Sequence, residues 1–140
     1  MTGAAAPAGT PPGVLSTHPD HRALLAARHD TPRHVVAAVL CAQWCTTCRE
    51  FLPMLEALAA RQPHCSWVWI DIEDDAALVG DVDVETFPTL AVYVDAELAH
   101  YGPVLPSAAL VERLVTAAAP RHVADAPDDI TGLVRTLVAG

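Results

Sequence analysis

Eight consecutive apolar residues, from Val35 to Ala42, end just before the first of two closely spaced cysteines. A run of this length with several β-branched residues is typical of a strand covered on both faces, as in parallel or mixed sheets. A helical pattern starts at the cysteines and continues to about Arg61, with its apolar positions on one face. The chain must therefore fold so that a Cys-x-x-Cys pair stands where a buried strand gives way to a helix.

The two cysteines of this pair, Cys45 and Cys48, are one helical turn apart. Their sulfurs can join as a disulfide or act as two separate thiols. Cys45 falls at the helix N-terminus, where unpaired backbone N–H groups and the helix dipole favour an anion. Because the thiolate is the nucleophile of disulfide exchange, the position favours a redox function for the pair.

Other cysteine chemistry is open to this sequence. His64 and Cys65 could complete a zinc site with the pair, but Cys65 starts the next predicted strand, at the opposite end of the sheet. Cys41, Cys45 and Cys48 also have an iron–sulfur spacing, although such loops belong to much larger proteins. Metal carriage by the pair stays a minor alternative. Cys41 is close enough to join the exchange, but Cys41 and Cys65 are most simply small buried residues.

The rest of the chain alternates strand and helix patterns. Strand–helix–strand units imply parallel pairing, and two strands joined at Asp95-Ala96 imply an antiparallel hairpin. The sequence thus predicts the α/β class, with a central mixed sheet flanked by helices on both faces. The predicted strands are 14–15, 35–42, 66–70, 89–94 and 97–101, and the predicted helices are 19–29, 46–61, 76–79, 107–119 and 128–138.

Three segments are predicted: a flexible lead-in at 1–13, a main domain at 14–119 and a helical extension at 120–140. The apolar stripe of the last helix, 128–138, favours packing on its own domain, as apolar helix stripes usually do. The alternative is a face that binds a partner or forms a dimer.

The charge balance excludes some partners. The chain has 8 Lys and Arg residues and 17 Asp and Glu residues, which gives a net charge of −9. Nucleic acids and anionic lipids both require a basic surface, so neither is an expected partner. No apolar stretch reaches the ~20 residues that cross a bilayer, and the N-terminus lacks a signal-peptide pattern, which predicts a cytoplasmic protein.

A second candidate motif is Phe87-Pro88, directly before a predicted strand. An aromatic–proline pair there is a candidate cis peptide bond. It would leave the backbone N–H and C=O of Phe87 free to pair with an extended substrate. The simpler interpretation is a trans proline that opens an edge strand.

At this point the chain resembles the thioredoxin family over residues 14–119. The resemblance is carried, in order, by Trp44-Cys45-Thr46-Thr47-Cys48-Arg49, Pro53, Asp71-Ile72-Glu73, Phe87-Pro88-Thr89 and Gly102. It implies a thioredoxin-like fold with an extra C-terminal helix.

The resemblance also implies roles. Cys45 corresponds to the exposed attacking cysteine and Cys48 to the buried resolving one. Trp44 corresponds to the indole that flanks the site, Pro88 to the cis-proline and Pro53 to a helix-kinking proline. The implied reaction is dithiol–disulfide exchange through a mixed disulfide on Cys45. Thr46, Thr47 and Phe87 complete the expected surroundings of the pair.

The implied substrates are proteins or small molecules that contain disulfides. The implied electron donor is a reductase of the thioredoxin-reductase type or glutathione. Apart from the redox-active Cys45–Cys48 disulfide, no cofactor is expected, and no metal.

The sequence departs from the family pattern at the site. Thr46-Thr47 stands where the family usually has Gly-Pro, and hydroxyls there are expected to stabilise the Cys45 thiolate and raise the redox potential. Val39 and Trp69 replace the usual buried carboxylate and its lysine, and Cys41 replaces an aromatic residue. The usual proton acceptor for the second cysteine is therefore missing, which leaves open a non-catalytic binding or assembly module.

Overall fold

The computed structural model describes residues 13–29, 34–42, 45–62, 64–79, 88–104, 107–119, 123 and 126–139. Its five strands form one mixed sheet in the order β1-β3-β2-β4-β5. β1 and β2 run parallel to β3, whereas β4 is antiparallel to both β2 and β5. The predicted α/β class and mixed sheet are therefore confirmed. The strands are β1 Val14–Leu15, β2 Val35–Cys41, β3 Cys65–Asp71, β4 Thr89–Val94 and β5 Glu97–Pro103.

The helices follow the predicted order with one correction. The single helix predicted at 128–138 is divided at Gly132, because glycine is a poor helix former and takes φ −95° and ψ 9° there. Within the described ranges, every helix is too short or too polar to cross a membrane. The helices are α1 Pro19–His29, α2 Thr46–Arg61, α3 Ala76–Val79, α4 Ala108–Thr116, α5 Asp128–Thr131 and α6 Leu133–Ala139.

Strand β2 is buried on both faces, which explains its continuous apolar run. Successive side chains of a strand point to opposite faces of the sheet. One set packs with α1, α5 and α6, and the other set packs with α2 and α4. The first set is Val36, Ala38 and Leu40, the second is Ala37, Val39 and Cys41, and all six are 0% exposed.

The two C-terminal helices belong to the first of these core layers. Their apolar stripe is buried against the sheet and α1, as the favoured interpretation of this segment predicts. The hydroxyl of Tyr93, itself fully buried in β4, donates a hydrogen bond to the carbonyl of Ile130. Sheet and helix are thus joined by both apolar contact and a buried polar contact. The buried stripe consists of Ile130, Leu133, Val134 and Leu137.

Arg22 of α1 holds the last turn of α6. Its guanidinium donates to the carbonyls of Leu137 at 3.1 Å and Thr136 at 2.9 Å. The last carbonyls of a helix lack partners within the helix and carry partial negative charge, so a guanidinium there is favourable.

The hairpin between β4 and β5 turns at two residues of positive φ, Asp95 at 52° and Ala96 at 70°. Positive φ at both central residues is what the type I′ turn of a two-residue hairpin requires, and glycine or asparagine usually supplies it. Ala96 is only 3% exposed and packs in the core, which offsets the strain of its backbone.

A buried histidine, His34, lies at the end of the sheet opposite to the cysteine pair. Its Nε2 hydrogen-bonds to Ser66 Oγ at 2.8 Å, and its backbone N–H donates to Asp95 Oδ1 at 2.9 Å. Burial lowers the pKa of His34, and the neighbouring His29 and Arg28 lower it further, while Asp95 acts in the opposite direction. The folded protein therefore resists protonation of this ring.

This arrangement predicts a loss of stability in mild acid. Below the ordinary histidine pKa of 6.5, His34 binds a proton in the unfolded chain but stays neutral in the folded protein until its lower pKa is reached. The contribution is complete above that pH and is lost as the pH falls toward the lower pKa of the folded state. As the pH falls from about 6.5 to 5.5, the free energy of unfolding should fall less steeply in His34→Gln than in the wild type. The two slopes should differ by up to about 1.4 kcal/mol per pH unit.

Urea unfolding at a series of pH values measures this slope. The matched control is His18→Gln, because the side chain of His18 is 62% exposed. That control should keep the slope of the wild type, and equal slopes for wild type and His34→Gln would contradict the prediction.

Candidate redox site

The first cysteine of the pair stands at the N-terminus of the longest described helix. Cys45 is the residue before α2, with extended backbone angles of φ −83° and ψ 111°. Its N–H donates to the carbonyl of Ala42 at 3.0 Å, and its carbonyl accepts from the N–H of Arg49 at 3.2 Å. The first turn of α2 carries no acidic side chain that would repel a thiolate. The chain between β2 and α2 therefore places Cys45 at the N-terminus of α2, a position that favours an anion.

Exposure differs sharply within the motif. Cys45 is partly exposed, Thr46 and Thr47 are exposed, and Cys48 is 0% exposed. Pro53 lies inside α2 as predicted, on its exposed side. An external disulfide can therefore reach the first sulfur directly, whereas the second sulfur is reached only from within the site.

The two sulfurs of the pair are in contact as free thiols. Cys48 hydrogen-bonds to Cys45, and both cysteines are reduced. Burial is the main cause that raises the pKa of Cys48, and the hydrogen bond with Cys45 adds to it. Two groups oppose this rise by stabilising the charged sulfur, namely the thiol of Cys41 and the backbone of Ala42.

Cys41 is buried, as its favoured interpretation predicts, and it also lies beside the pair, close enough to take part in the exchange, as the sequence analysis left open. The thiol hydrogen-bonds to Cys48, and its pKa is raised chiefly by burial. The alternation of side chains along β2 was the available signal, since it puts position 41 on the face that α2 covers. Cys65 behaves as predicted: it is 6% exposed, and burial raises its pKa to about 12.

The structure separates Cys65 from the pair. Cys65 pairs with Val35 at the start of β2, whereas Cys45 follows the end of that strand. A zinc site that joins Cys65 to the pair is therefore excluded by the sheet.

Asp71 lies beside Cys41 in the sheet register and is 8% exposed. Its Oδ1 accepts from the N–H groups of Glu73 at 2.8 Å and Asp74 at 3.0 Å. The carboxylate thus fixes the turn after β3. Its negative charge contributes to the raised pKa of Cys41.

Pro88 reaches the same end of the sheet as the cysteine pair. Thr89 pairs with Leu40 near the end of β2, so the residue before Thr89 lies level with Cys41. Pro88 is buried, and its carbonyl accepts from the N–H of Val104 at 3.1 Å. Its cis geometry stays a prediction. The other two predicted site residues, Trp44 and Phe87, lie outside the described residues.

The position of the missing carboxylate is occupied by an apolar side chain. Val39 is 0% exposed and packs in the same cluster as Cys48. It pairs across the sheet with Trp69. The arrangement can support thiol chemistry, with two sulfurs in contact, one of them accessible, and a third thiol behind them.

Comparisons with a family model and with curated proteins point to the same family. The family model described as Thioredoxin matches residues 21–115. The thioredoxin of Chlamydia trachomatis is 36% identical over 56 residues, which cover 40% of this chain and 55% of that protein. The thioredoxin of Chlamydia pneumoniae is 37% identical over 54 residues, which cover 39% and 53%. The chain thus spans about half the length of the curated relatives it matches.

Solved structures show the same fold. A mutant thioredoxin from Halobacterium salinarum matches with a TM-score of 0.61 and 22% identity, covering 81% of this chain and 98% of that one. The thioredoxin of Fasciola hepatica matches with a TM-score of 0.60 and 20% identity, covering 76% and 98%. The predicted thioredoxin-like fold is therefore confirmed.

Proposed function

This chain belongs to the thioredoxin family, and on that premise we propose that it is a thiol–disulfide oxidoreductase acting through Cys45 and Cys48. One observation carries the proposal. A partly exposed cysteine stands at the N-terminus of a 16-residue helix, with a fully buried cysteine in contact behind it. Membership of the family supports oxidoreductase chemistry in general, and the steps below are our assignment for this chain.

In the first step, the Cys45 thiolate attacks one sulfur of a substrate disulfide. A bond forms between Cys45 and that sulfur, the substrate disulfide breaks, and the other substrate sulfur leaves as a thiolate. Cys45 suits this role because it is the accessible member of the pair and stands at the N-terminus of α2.

In the second step, Cys48 resolves the mixed disulfide. Its thiolate attacks Cys45, the Cys45–Cys48 disulfide forms, and the second substrate thiolate leaves. The pair has then given two electrons to the substrate. Burial of Cys48 protects it from external disulfides, so only the Cys45 sulfur of the mixed disulfide is within its reach.

The substrates we propose are proteins or small molecules with accessible disulfides, and the proposed electron donor is a thioredoxin-reductase-type enzyme or glutathione. The redox-active group is the cysteine pair itself, so no cofactor is required. Trp44, Phe87 and Pro88 are proposed to line the substrate surface, as the resemblance implies. Thr46 and Thr47 are proposed to set the redox potential, which titration against glutathione measures.

The test is turnover of a protein disulfide. Insulin is reduced with dithiothreitol as the electron source, and precipitation of its B chain is followed by turbidity. We expect the wild type to accelerate reduction well above the rate with dithiothreitol alone. No acceleration by the folded, reduced protein would contradict the proposal and favour the alternative function, a thioredoxin-fold binding module whose cysteines do not turn over.

A further inference from the structure

Cys41 and Cys48 meet where β2 ends and α2 begins. Cys41 is the last residue of β2, on the face that α2 covers, and Cys48 lies in the first turn of that helix. Both side chains are 0% exposed. The contact is therefore shielded from solvent, and it involves a thiol that the two-cysteine reaction does not use.

The polarity of this contact follows from the surroundings of the two sulfurs. Burial is the main cause that raises the pKa of Cys41, and the neighbouring Cys48, Cys45 and Asp71 add to it in that order, so Cys41 keeps its proton and is the donor. The hydrogen bond favours the charged form of Cys48, and so does the hydrogen bond with the backbone of Ala42. The end of β2 thus offers two donors to the buried sulfur of the pair.

Simple packing does not account for a thiol at this position. The neighbouring position on the same face, Val39, is filled by a valine that is also 0% exposed. The distant buried thiol, Cys65, bonds to the carbonyl of Ser66 at 3.8 Å rather than to another sulfur. Cys41 differs from both because its thiol lies in the same buried cluster as Cys48 and hydrogen-bonds to it.

We propose that Cys41 is a positioning residue whose S–H group donates a hydrogen bond to the Cys48 thiolate and holds that sulfur for attack on the mixed disulfide. This inference rests on the proposed function. In the step, a bond forms between Cys48 and Cys45, the bond from Cys45 to the substrate sulfur breaks, and the substrate thiolate leaves with the electron pair. The proton that Cys48 loses is balanced by the one that the departing substrate thiolate takes up, and Cys41 keeps its own proton throughout.

The first test is the pKa of Cys48, measured from the carbon-13 chemical shift of its Cβ in the Cys45→Ser background. Adding Cys41→Ala removes the donor, and the pKa of Cys48 should rise by about one unit. Cys41→Ser keeps a donor and should stay closer to the parent value. Cys65→Ala is the control for loss of a buried thiol elsewhere, and it should leave the pKa of Cys48 unchanged.

The second test follows reduced protein mixed with Ellman's reagent in a stopped-flow instrument. Attack by Cys45 releases a first thionitrobenzoate, and attack by Cys48 on the mixed disulfide releases a second. In Cys41→Ala, the higher pKa of Cys48 should leave about tenfold less of its thiolate at neutral pH. Each thiolate is more nucleophilic because its pKa is higher, so the second phase should be only about threefold slower. Its pH profile should shift upward, and the first phase should be unchanged.

The two phases separate the outcomes. A first phase that survives in Cys45→Ser would overturn the proposed function. A normal first phase in Cys41→Ala would overturn only the role of Cys41 if the pKa of Cys48 is the same in the Cys45→Ser parent and after Cys41→Ala or Cys41→Ser is added to it. Equal shifts in the alanine and serine variants would overturn it as well. Should Cys41→Ala fail to fold, Cys41→Val fills the space without a donor, and the same shift is expected from it.

Discussion

Replacing Cys45 with serine should reduce insulin turnover to the rate of dithiothreitol alone. A serine hydroxyl does not ionise at neutral pH and forms no disulfide, so the first bond of the exchange cannot form. Cys48 cannot substitute for the lost nucleophile, because it is 0% exposed. The loss should therefore be complete rather than partial, and it should appear without a change in stability, since Cys45 is partly exposed.

The matched control is Cys65→Ala. Cys65 lies at the other end of the sheet from the pair, and its loss should leave turnover within about twofold of the wild type. Comparable turnover by Cys45→Ser and wild type would show that the activity comes from another group or from a contaminant. Equal loss in Cys45→Ser and Cys65→Ala would point to general damage to the fold.

The second large effect concerns stability. Leu137 is 1% exposed between α6, α1 and the sheet, and Leu137→Ala should lower the free energy of unfolding by about 3 kcal/mol. For a domain of this size, that loss should lower the midpoint of thermal unfolding by about 10 °C. It is a large fraction of the roughly 5–15 kcal/mol by which such domains are stable. Removing residues 126–140 uncovers the whole stripe and the Tyr93 hydroxyl, and we expect no cooperative unfolding transition at all.

Arg135→Ala is the control on the same helix, because Arg135 is exposed. It should change the free energy of unfolding by less than about 0.5 kcal/mol. A truncated chain that unfolds cooperatively near the wild-type temperature would show that the C-terminal helices are not part of the core. Urea and thermal denaturation followed by circular dichroism measure all three variants.

Local sequence patterns predicted the elements and the redox motif. The apolar run at 35–42 specified β2, and the Cys-x-x-Cys spacing with the helical stripe after it placed α2 and the pair. The hairpin was predicted although Asp95-Ala96 is a weak turn sequence. These features succeed because strand alternation, helix periodicity and turn chemistry act over a few residues.

The parts that could not be predicted depend on contacts between distant segments. Tyr93 and Ile130 are 37 residues apart in sequence, and no local pattern indicates that the hydroxyl of one reaches the carbonyl of the other. The contact of Cys41 with Cys48 likewise depends on how closely α2 packs on the end of β2. The break at Gly132 was visible as a residue, but apolar periodicity on both sides concealed it.

The most direct measurement of the central claim is capture of the reaction intermediate. Cys48→Ser removes the resolving sulfur, so a disulfide substrate attacked by Cys45 should stay attached through a mixed disulfide that dithiothreitol releases. After incubation with oxidised glutathione, intact-mass spectrometry should show one glutathione added, and peptide mapping should place it on Cys45. No adduct on Cys45, or an adduct on Cys41 or Cys65 instead, would contradict the assignment of Cys45 as the attacking cysteine.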